Sequence, residues 1–111
     1  MKRNTILFSV FLAAAPQARA YDTIRFLEPI KGDEMATPVA AAASAERIYV
    51  VDEKKNMLFL YDASGKLIKN VGRSGAQNGS FSGPRGVAVG PNGNVYVADT
   101  GNHRVQIFDR D

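Results

Sequence analysis

The chain has 111 residues with 14 Lys and Arg, 11 Asp and Glu and one His, which gives a formal net charge of +3. It contains no cysteine, so a disulfide framework, a thiolate metal site and a lipoprotein anchor are excluded. At face value these figures describe a small basic domain.

Residues 1–20 are typical of a secretory signal peptide. Lys2 and Arg3 form a positive n-region, and the apolar run at 6–15 has the length of an h-region. Ala18 and Ala20 place small side chains at the −3 and −1 subsites of signal peptidase. A run of this length is too short to span a bilayer, which takes about 20 helical residues. We therefore expect export to the periplasm or the extracellular space, with no stable membrane anchor.

Removal of the signal peptide changes the charge of the protein. Cleavage after Ala20 removes Lys2, Arg3 and Arg19, so the basic count falls from 14 to 11, which equals the 11 acidic residues that remain. Nucleic-acid binding depends on surplus Lys and Arg that neutralise phosphates. The neutral mature chain therefore predicts no nucleic-acid partner.

The remaining 91 of the 111 residues divide into short predicted strands. A lead-in at 21–37 contains the alternating segment 22–27, which predicts an outer strand able to close a ring. A first unit at 38–71 and a second at 86–111 flank a Gly/Ser-rich connector at 72–85. The predicted strands are 39–42, 47–51, 57–61 and 66–71 in the first unit, and 86–89, 95–99 and 104–108 in the second.

The two units are related by an internal repeat. Residues 48–64 and 95–111 align at a constant offset of 47, with identity at Tyr49/Tyr96, Val50/Val97, Asp52/Asp99 and Asp62/Asp109. Four antiparallel strands that repeat about every 40 to 50 residues are typical of β-propeller blades. The sequence predicts an all-β fold with about two four-stranded blades of an incomplete ring, the second truncated after its third strand.

One segment has a specific family resemblance. The sequence GVAVGPNGNVYVADTGNHRVQIFD, at 86–109, resembles the NHL repeat, most recognisably in Asp99, Asn102, His103 and Arg104. The first unit is a degenerate copy, with Lys55, Asn56 and Met57 where the motif has Asn, His and Arg. The resemblance covers roughly residue 38 onward and implies a β-propeller of the NHL repeat family. Together with the signal peptide, which looks bacterial, it leads us to expect an exported bacterial member of that family.

Propeller geometry predicts which residues share a surface. The turns between the second and third strands and the connectors emerge on one face, so Arg85, Asn102, His103 and Arg104 are candidate binding residues. Three of them also have a structural interpretation, because His103 can fix a turn and the two arginines can pair with a nearby acid.

Two aspartates have a predicted structural role. Asp52 and Asp99 occupy the same position in the two units, at the end of the second strand. A carboxylate there can accept backbone N–H groups of the following turn. We therefore expect both residues to act as structural turn residues.

The resemblance leaves the biochemical function open. NHL propellers include a zinc-dependent lyase that uses several histidines from different blades, whereas a zinc site takes three or four ligands and this chain has one His. We predict a scaffold that binds a protein or small-molecule ligand, with no catalytic residue, metal or cofactor. The alternative is a metal-dependent lyase or lactonase-like hydrolase whose catalytic residues lie mostly in other blades.

The length of the mature chain raises a further question. Propellers typically have four to eight blades, and 91 residues supply about two. Either the sequence is the N-terminal piece of a longer NHL protein, with the other blades in the same chain, or several copies assemble into a ring.

Overall fold

The structure, a computed structural model, describes residues 27–110. The predicted signal peptide and all but the last residue of the predicted strand at 22–27 lie outside the described residues. The described part consists of two antiparallel β-sheets, of four and three strands, which are β-propeller blades. A single turn of 3-10 helix, Thr100–Asn102, lies within the second sheet.

The first blade is a four-stranded meander. Its strands follow one another in space as they do along the chain. Short turns join them, and Asp62 closes the last turn by accepting the N–H groups of Ser64 and Lys66, both at 2.9 Å. The strands are β1 Pro38–Ala43, β2 Arg47–Asp52, β3 Met57–Asp62 and β4 Leu67–Val71.

The second blade has three strands in the described part of the chain. The strands are β5 Gly86–Val89, β6 Val95–Asp99 and β7 Arg104–Phe108. The hairpin between β5 and β6 turns at Gly93, whose φ of 88° suits glycine and whose N–H donates to the carbonyl of Gly90 at 2.9 Å. All seven strands predicted between 39 and 108 occur, with their ends within one residue of prediction.

The main core lies between the two blades. Successive side chains of a strand point to opposite sides of the sheet, so each blade has two faces. We call the side of blade 1 that carries Tyr49, Val51, Leu58 and Leu60 its forward face. This face packs on the rear face of blade 2, formed by Val95, Val97 and Phe108 together with Phe81 of the connector. Phe81 and Val97 are completely buried, so this contact is as dry as a domain core.

The rear face of blade 1 is covered by the lead-in. Ile30 and Met35 pack against Val50, Phe59 and Tyr61. The Tyr61 hydroxyl donates to the carboxylate of Glu34 at 3.2 Å. Burial and this neighbouring carboxylate raise the pKa of Tyr61 to about 12. The end of the lead-in is therefore packed onto the first blade. Across residues 27–110, no helix has the length and apolar character that crossing a membrane requires.

Candidate functional site

The turns after β2 and β6 and the connector lie on one side of the two blades, which we call the loop face. It consists of residues 53–56, 72–85 and 100–103. Side-chain hydrogen bonds join the turns to the connector. Asn56 Nδ2 donates to Ser74 Oγ at 2.8 Å, Asn56 Oδ1 accepts the N–H of Gly83 at 2.8 Å, and Asn102 Nδ2 donates to the Gly75 carbonyl at 2.9 Å. The loop face is therefore one connected surface.

The carboxylate of Asp99, at the end of β6, is the centre of a hydrogen-bond network beneath this surface. Its Oδ1 accepts the backbone N–H of Ser82 at 2.7 Å. Its Oδ2 accepts side-chain N–H groups from Asn102 at 2.9 Å, Arg104 at 2.9 Å and Gln106 at 3.2 Å. Asp99 is fully buried, so these donors replace the water that a carboxylate otherwise binds.

Two of these side chains also hold the backbone of the connector. Arg104 Nη2 donates to the carbonyl oxygens of Gln77 at 2.8 Å and Ser80 at 3.0 Å. Gln106 Nε2 donates to the carbonyl of Ser80 at 2.6 Å, and its Oε1 accepts the N–H of Gly79 at 2.9 Å. The connector has no regular strand of its own, and these contacts supply hydrogen-bond partners to its backbone groups.

The network also sets the pKa of Asp99. Burial by itself raises the pKa of this carboxyl, but the hydrogen bonds from Ser82, Asn102, Arg104 and Gln106 together outweigh burial and hold the pKa below its usual value of 3.8. The ion pair between Arg104 Nε and Asp99 Oδ2 is 2.9 Å long, with the arginine side chain 27% exposed. Asp99 is therefore ionised at neutral pH.

Asp52 occupies the equivalent position in the first blade, where backbone N–H groups are its donors. Its Oδ2 accepts the backbone N–H groups of Ala36 at 2.6 Å and Thr37 at 2.9 Å, and its Oδ1 accepts that of Lys55 at 2.8 Å. Burial raises the pKa of Asp52, but these N–H donors outweigh it and the pKa lies below 3.8. Asp52 thus binds both its own turn and the lead-in, whereas Asp99 binds the connector and three side chains.

These contacts extend the repeat upstream of the predicted boundary at residue 38. Ala36, bound by Asp52, and Ser82, bound by Asp99, occupy the same place in their units. The preceding residues also correspond, because Met35 packs on the rear face of blade 1 and Phe81 on that of blade 2. Residues from Met35 onward therefore have counterparts in the second unit.

His103 occupies a backbone position that constrains its role. Its φ of 57° lies in the left-handed region, and its N–H donates to the Thr100 carbonyl at 3.0 Å. Asn56, at the same place in the first unit, also has a φ of 57°. A non-glycine residue with this conformation is uncommon, with Asn, Asp and His enriched. His103 itself is exposed to solvent.

Arg85 joins the two blades across the loop face. Its Nε donates to Glu53 Oε2 at 3.1 Å, and its Nη2 lies 3.0 Å from the same oxygen. The Arg85 side chain is 66% exposed and that of Glu53 32% exposed, so solvent screens this pair. The guanidinium remains accessible to a binding partner.

The candidate residues therefore fall into two groups. Asn102 and Arg104 converge on Asp99 and are occupied by the connector, whereas Arg85 and His103 are exposed. Gln106 and Ser82 belong to the network and were missed by the sequence analysis. A glutamine inside the apolar run of β7 was the available signal for Gln106, since a polar side chain in a packed strand usually has hydrogen-bond partners.

The loop face contains a polar cleft of about 490 Å³ along the connector. It is lined by Gly72, Arg73, Ser74, Gln77, Asn78, Gly79 and Ser80. Within residues 27–110, no three His, Asp or Glu side chains are grouped so that they could hold a metal ion.

One segment of the chain matches a known family of repeats. The family model of the NHL repeat matches residues 81–108, from Phe81 to the end of β7. The matched segment therefore includes the end of the connector, where Phe81 packs in the core and Ser82 donates to Asp99.

Three proteins illustrate the similarity. The chain is 50% identical over 40 residues to B-box type zinc finger protein ncl-1 of Caenorhabditis elegans, covering 36% of this chain and 5% of that protein. It is 50% identical over 40 residues to Protein brain tumor of Drosophila melanogaster, covering 36% and 4%. It is 31% identical over 98 residues to E3 ubiquitin-protein ligase TRIM32 of Homo sapiens, covering 88% and 14%. The chain thus spans only 4% to 14% of the length of these relatives.

We expect Asp99→Asn to lower the free energy of unfolding by about 2 to 3 kcal/mol, because a neutral amide replaces a buried carboxylate that binds charged and neutral donors. Urea unfolding of the full chain measures this change. The control is Asp33→Asn at an exposed position, which should stay within about 0.5 kcal/mol of wild type. Equal effects of the two substitutions would contradict the role given to Asp99.

The same variant has a pH signature. The pKa of Asp99 is lower in the folded state than its ordinary value of 3.8 in the unfolded chain. Ionised Asp99 therefore stabilises the fold at pH values above 3.8, and this stabilisation is lost as the pH falls through the folded-state pKa. The free energy of unfolding should therefore fall less between about pH 5 and about pH 3 for Asp99→Asn than for wild type. Asp33→Asn leaves Asp99 in place and should retain the pH dependence that Asp99 contributes.

Substitutions of His103 test whether the fold requires its left-handed backbone conformation or its imidazole ring. His103→Asn should be tolerated, since Asn56 adopts the same conformation. His103→Val should cost about 1 to 2 kcal/mol, because a β-branched residue is strained at positive φ. Thermal unfolding compares the two variants. A strongly destabilised His103→Asn would instead indicate that the imidazole itself holds the turn.

Proposed function

We propose that this protein is an exported NHL-repeat β-propeller scaffold that binds a protein or small-molecule ligand through its loop face. The observation that carries the proposal is the network around Asp99. It holds the connector by hydrogen bonds from Asn102, Arg104 and Gln106, so the exposed side chains of the connector are presented from a fixed backbone. A preorganised surface loses less conformational entropy when it binds a partner.

The relatives support a binding role over a single chemistry. A B-box zinc finger protein and an E3 ubiquitin-protein ligase both contain the matched segment, which is a small part of each. A segment shared by proteins with such different names is more consistent with a binding module than with one conserved reaction.

The candidate contacts with the ligand follow from exposure. Arg85 and His103 are exposed on the loop face, and Arg73, which is also exposed, lines the connector cleft. Asn102 and Arg104 act from beneath by fixing the connector. We therefore assign recognition to the first group and rigidity to the second.

The export part of the proposal rests on residues 1–20. The positive n-region, the apolar run and the small residues Ala18 and Ala20 support it. Secretion would also place the scaffold in a compartment where the absence of cysteine leaves no thiol to be oxidised.

We expect residues 1–20 to direct export of a fused alkaline phosphatase, which is active only after secretion. Mass spectrometry of the exported chain should give an N-terminus at Tyr21. The control replaces Lys2 and Arg3 by glutamate, which removes the positive n-region and should reduce export. An inactive wild-type fusion, or a retained N-terminal segment, would contradict the export proposal.

Photo-crosslinking from single positions tests the loop face. A photoreactive amino acid at Ala76, an exposed connector residue, should crosslink the exported protein to a discrete partner in the cell envelope. The matched control is Ala63, which is equally classed as exposed but lies in the turn between β3 and β4. Arg85→Glu should reduce the Ala76 crosslink about tenfold by reversing an exposed charge. Crosslinking from Ala63 alone would contradict the assignment of the binding face.

A further inference from the structure

The sequence contains two Asn-Gly pairs, Asn78-Gly79 in the connector and Asn92-Gly93 in the turn between β5 and β6. Both asparagines are exposed to solvent. Glycine has no Cβ, so its backbone nitrogen can approach the side-chain carbonyl carbon of the preceding asparagine with little hindrance. Such pairs are therefore the sequences in which the backbone most easily converts an asparagine side chain.

The conversion is a deamidation that takes place in two steps. The glycine N–H first loses its proton to a base in solution, and the nitrogen lone pair forms a bond to Cγ of the asparagine. The bond from Cγ to Nδ2 breaks, and the leaving nitrogen takes up a proton and departs as ammonia, which leaves a cyclic succinimide. Water then adds to one of the two ring carbonyls and opens the ring to aspartate or isoaspartate. The first step requires a glycine N–H that is free to lose its proton.

In the connector this proton is held by a side chain of β7. The N–H of Gly79 donates to Gln106 Oε1 at 2.9 Å. The Gln106 amide is itself fixed, because its Nε2 donates to the Ser80 carbonyl at 2.6 Å and to Asp99 Oδ2 at 3.2 Å. A hydrogen bond holds the proton on its donor and sets the direction of the N–H. Gln106 therefore opposes the first step of deamidation at Asn78.

The pair in the hairpin turn is held by local contacts instead. The N–H of Gly93 donates to the Gly90 carbonyl at 2.9 Å, and Asn92 Oδ1 accepts the N–H of Asn94 at 3.0 Å. These partners belong to the turn itself, whereas Gln106 is 27 residues from its partner in the connector. The pair in the turn is therefore an internal control for any effect of Gln106.

We propose that Asn78 is a modification site at which Gln106 controls deamidation. While the connector is packed on the blade, the hydrogen bond from Gly79 to Gln106 suppresses ring closure, and opening of the connector releases the N–H. Aspartate at position 78 adds a negative charge to the polar cleft that Asn78 and Arg73 both line. Isoaspartate also lengthens the backbone next to Gly79. The reaction needs no ligand, so this inference is independent of the proposed function.

Substitution of Gln106 tests this control directly. We would incubate the full chain and its Gln106→Leu variant, which lacks the acceptor at similar side-chain volume, at mildly alkaline pH and follow each asparagine by peptide mass spectrometry. Deamidation of Asn78 should be at least about threefold faster in the variant, the factor that one hydrogen bond of ordinary strength contributes. Deamidation of Asn92 in the same molecules should be unchanged. Equal rates at Asn78 in the two proteins, or a parallel increase at Asn92, would overturn the proposal.

The wild-type chain gives a second measurement that does not require the variant to fold. Concentrated urea unfolds the chain and removes the hydrogen bond from Gly79 to Gln106, so Asn78 should deamidate about tenfold faster than in the folded protein. In the folded protein, amide hydrogen exchange should be slow at Gly79. The same deamidation rate at Asn78 in the folded and unfolded chains, or fast exchange at Gly79, would contradict the control by Gln106.

Discussion

The structure depends on a buried carboxylate at the end of the second strand of each blade. In the second blade, Asp99 is fully buried and is held by a backbone N–H and three side-chain donors. A buried charge without such partners would be prohibitively costly, so the aspartate and its donors must be present together. The arrangement fixes the connector relative to the strands, and the fixed connector places Phe81 in the core between the blades.

Much of this fold follows from the sequence, for identifiable reasons. Short apolar runs bounded by turn residues located every strand from β1 to β7, and the repeat of 47 residues indicated two blades. The contacts of this network with the connector did not follow from such patterns, because hydrogen bonds between residues 17 to 27 apart leave no periodic signal. The alternation in β7 separated Gln106 from Val105 and Ile107, but it could not show that the polar side faces the neighbouring blade.

The candidate site was likewise predicted only in part from the sequence. Recognition of the NHL motif drew attention to Asn102, His103 and Arg104 together, yet their environments differ. Two of them act inward, on Asp99 and the connector, and one lies on the surface in a left-handed backbone conformation. Proximity in sequence placed these residues on one face, and only the side-chain contacts separate those that build the surface from those that remain available on it.

The contacts of Asp99 are made almost entirely within one repeat. Its donors at 82, 102, 104 and 106, and the connector groups that they hold at 75 to 80, all lie within a stretch of sequence shorter than the 47-residue repeat. A stretch of DNA encoding one such unit would therefore carry every donor together with its acceptor. Duplication or loss of a unit would leave no buried charge unmatched elsewhere. The number of blades can for this reason change during evolution while the chemistry inside each blade stays the same.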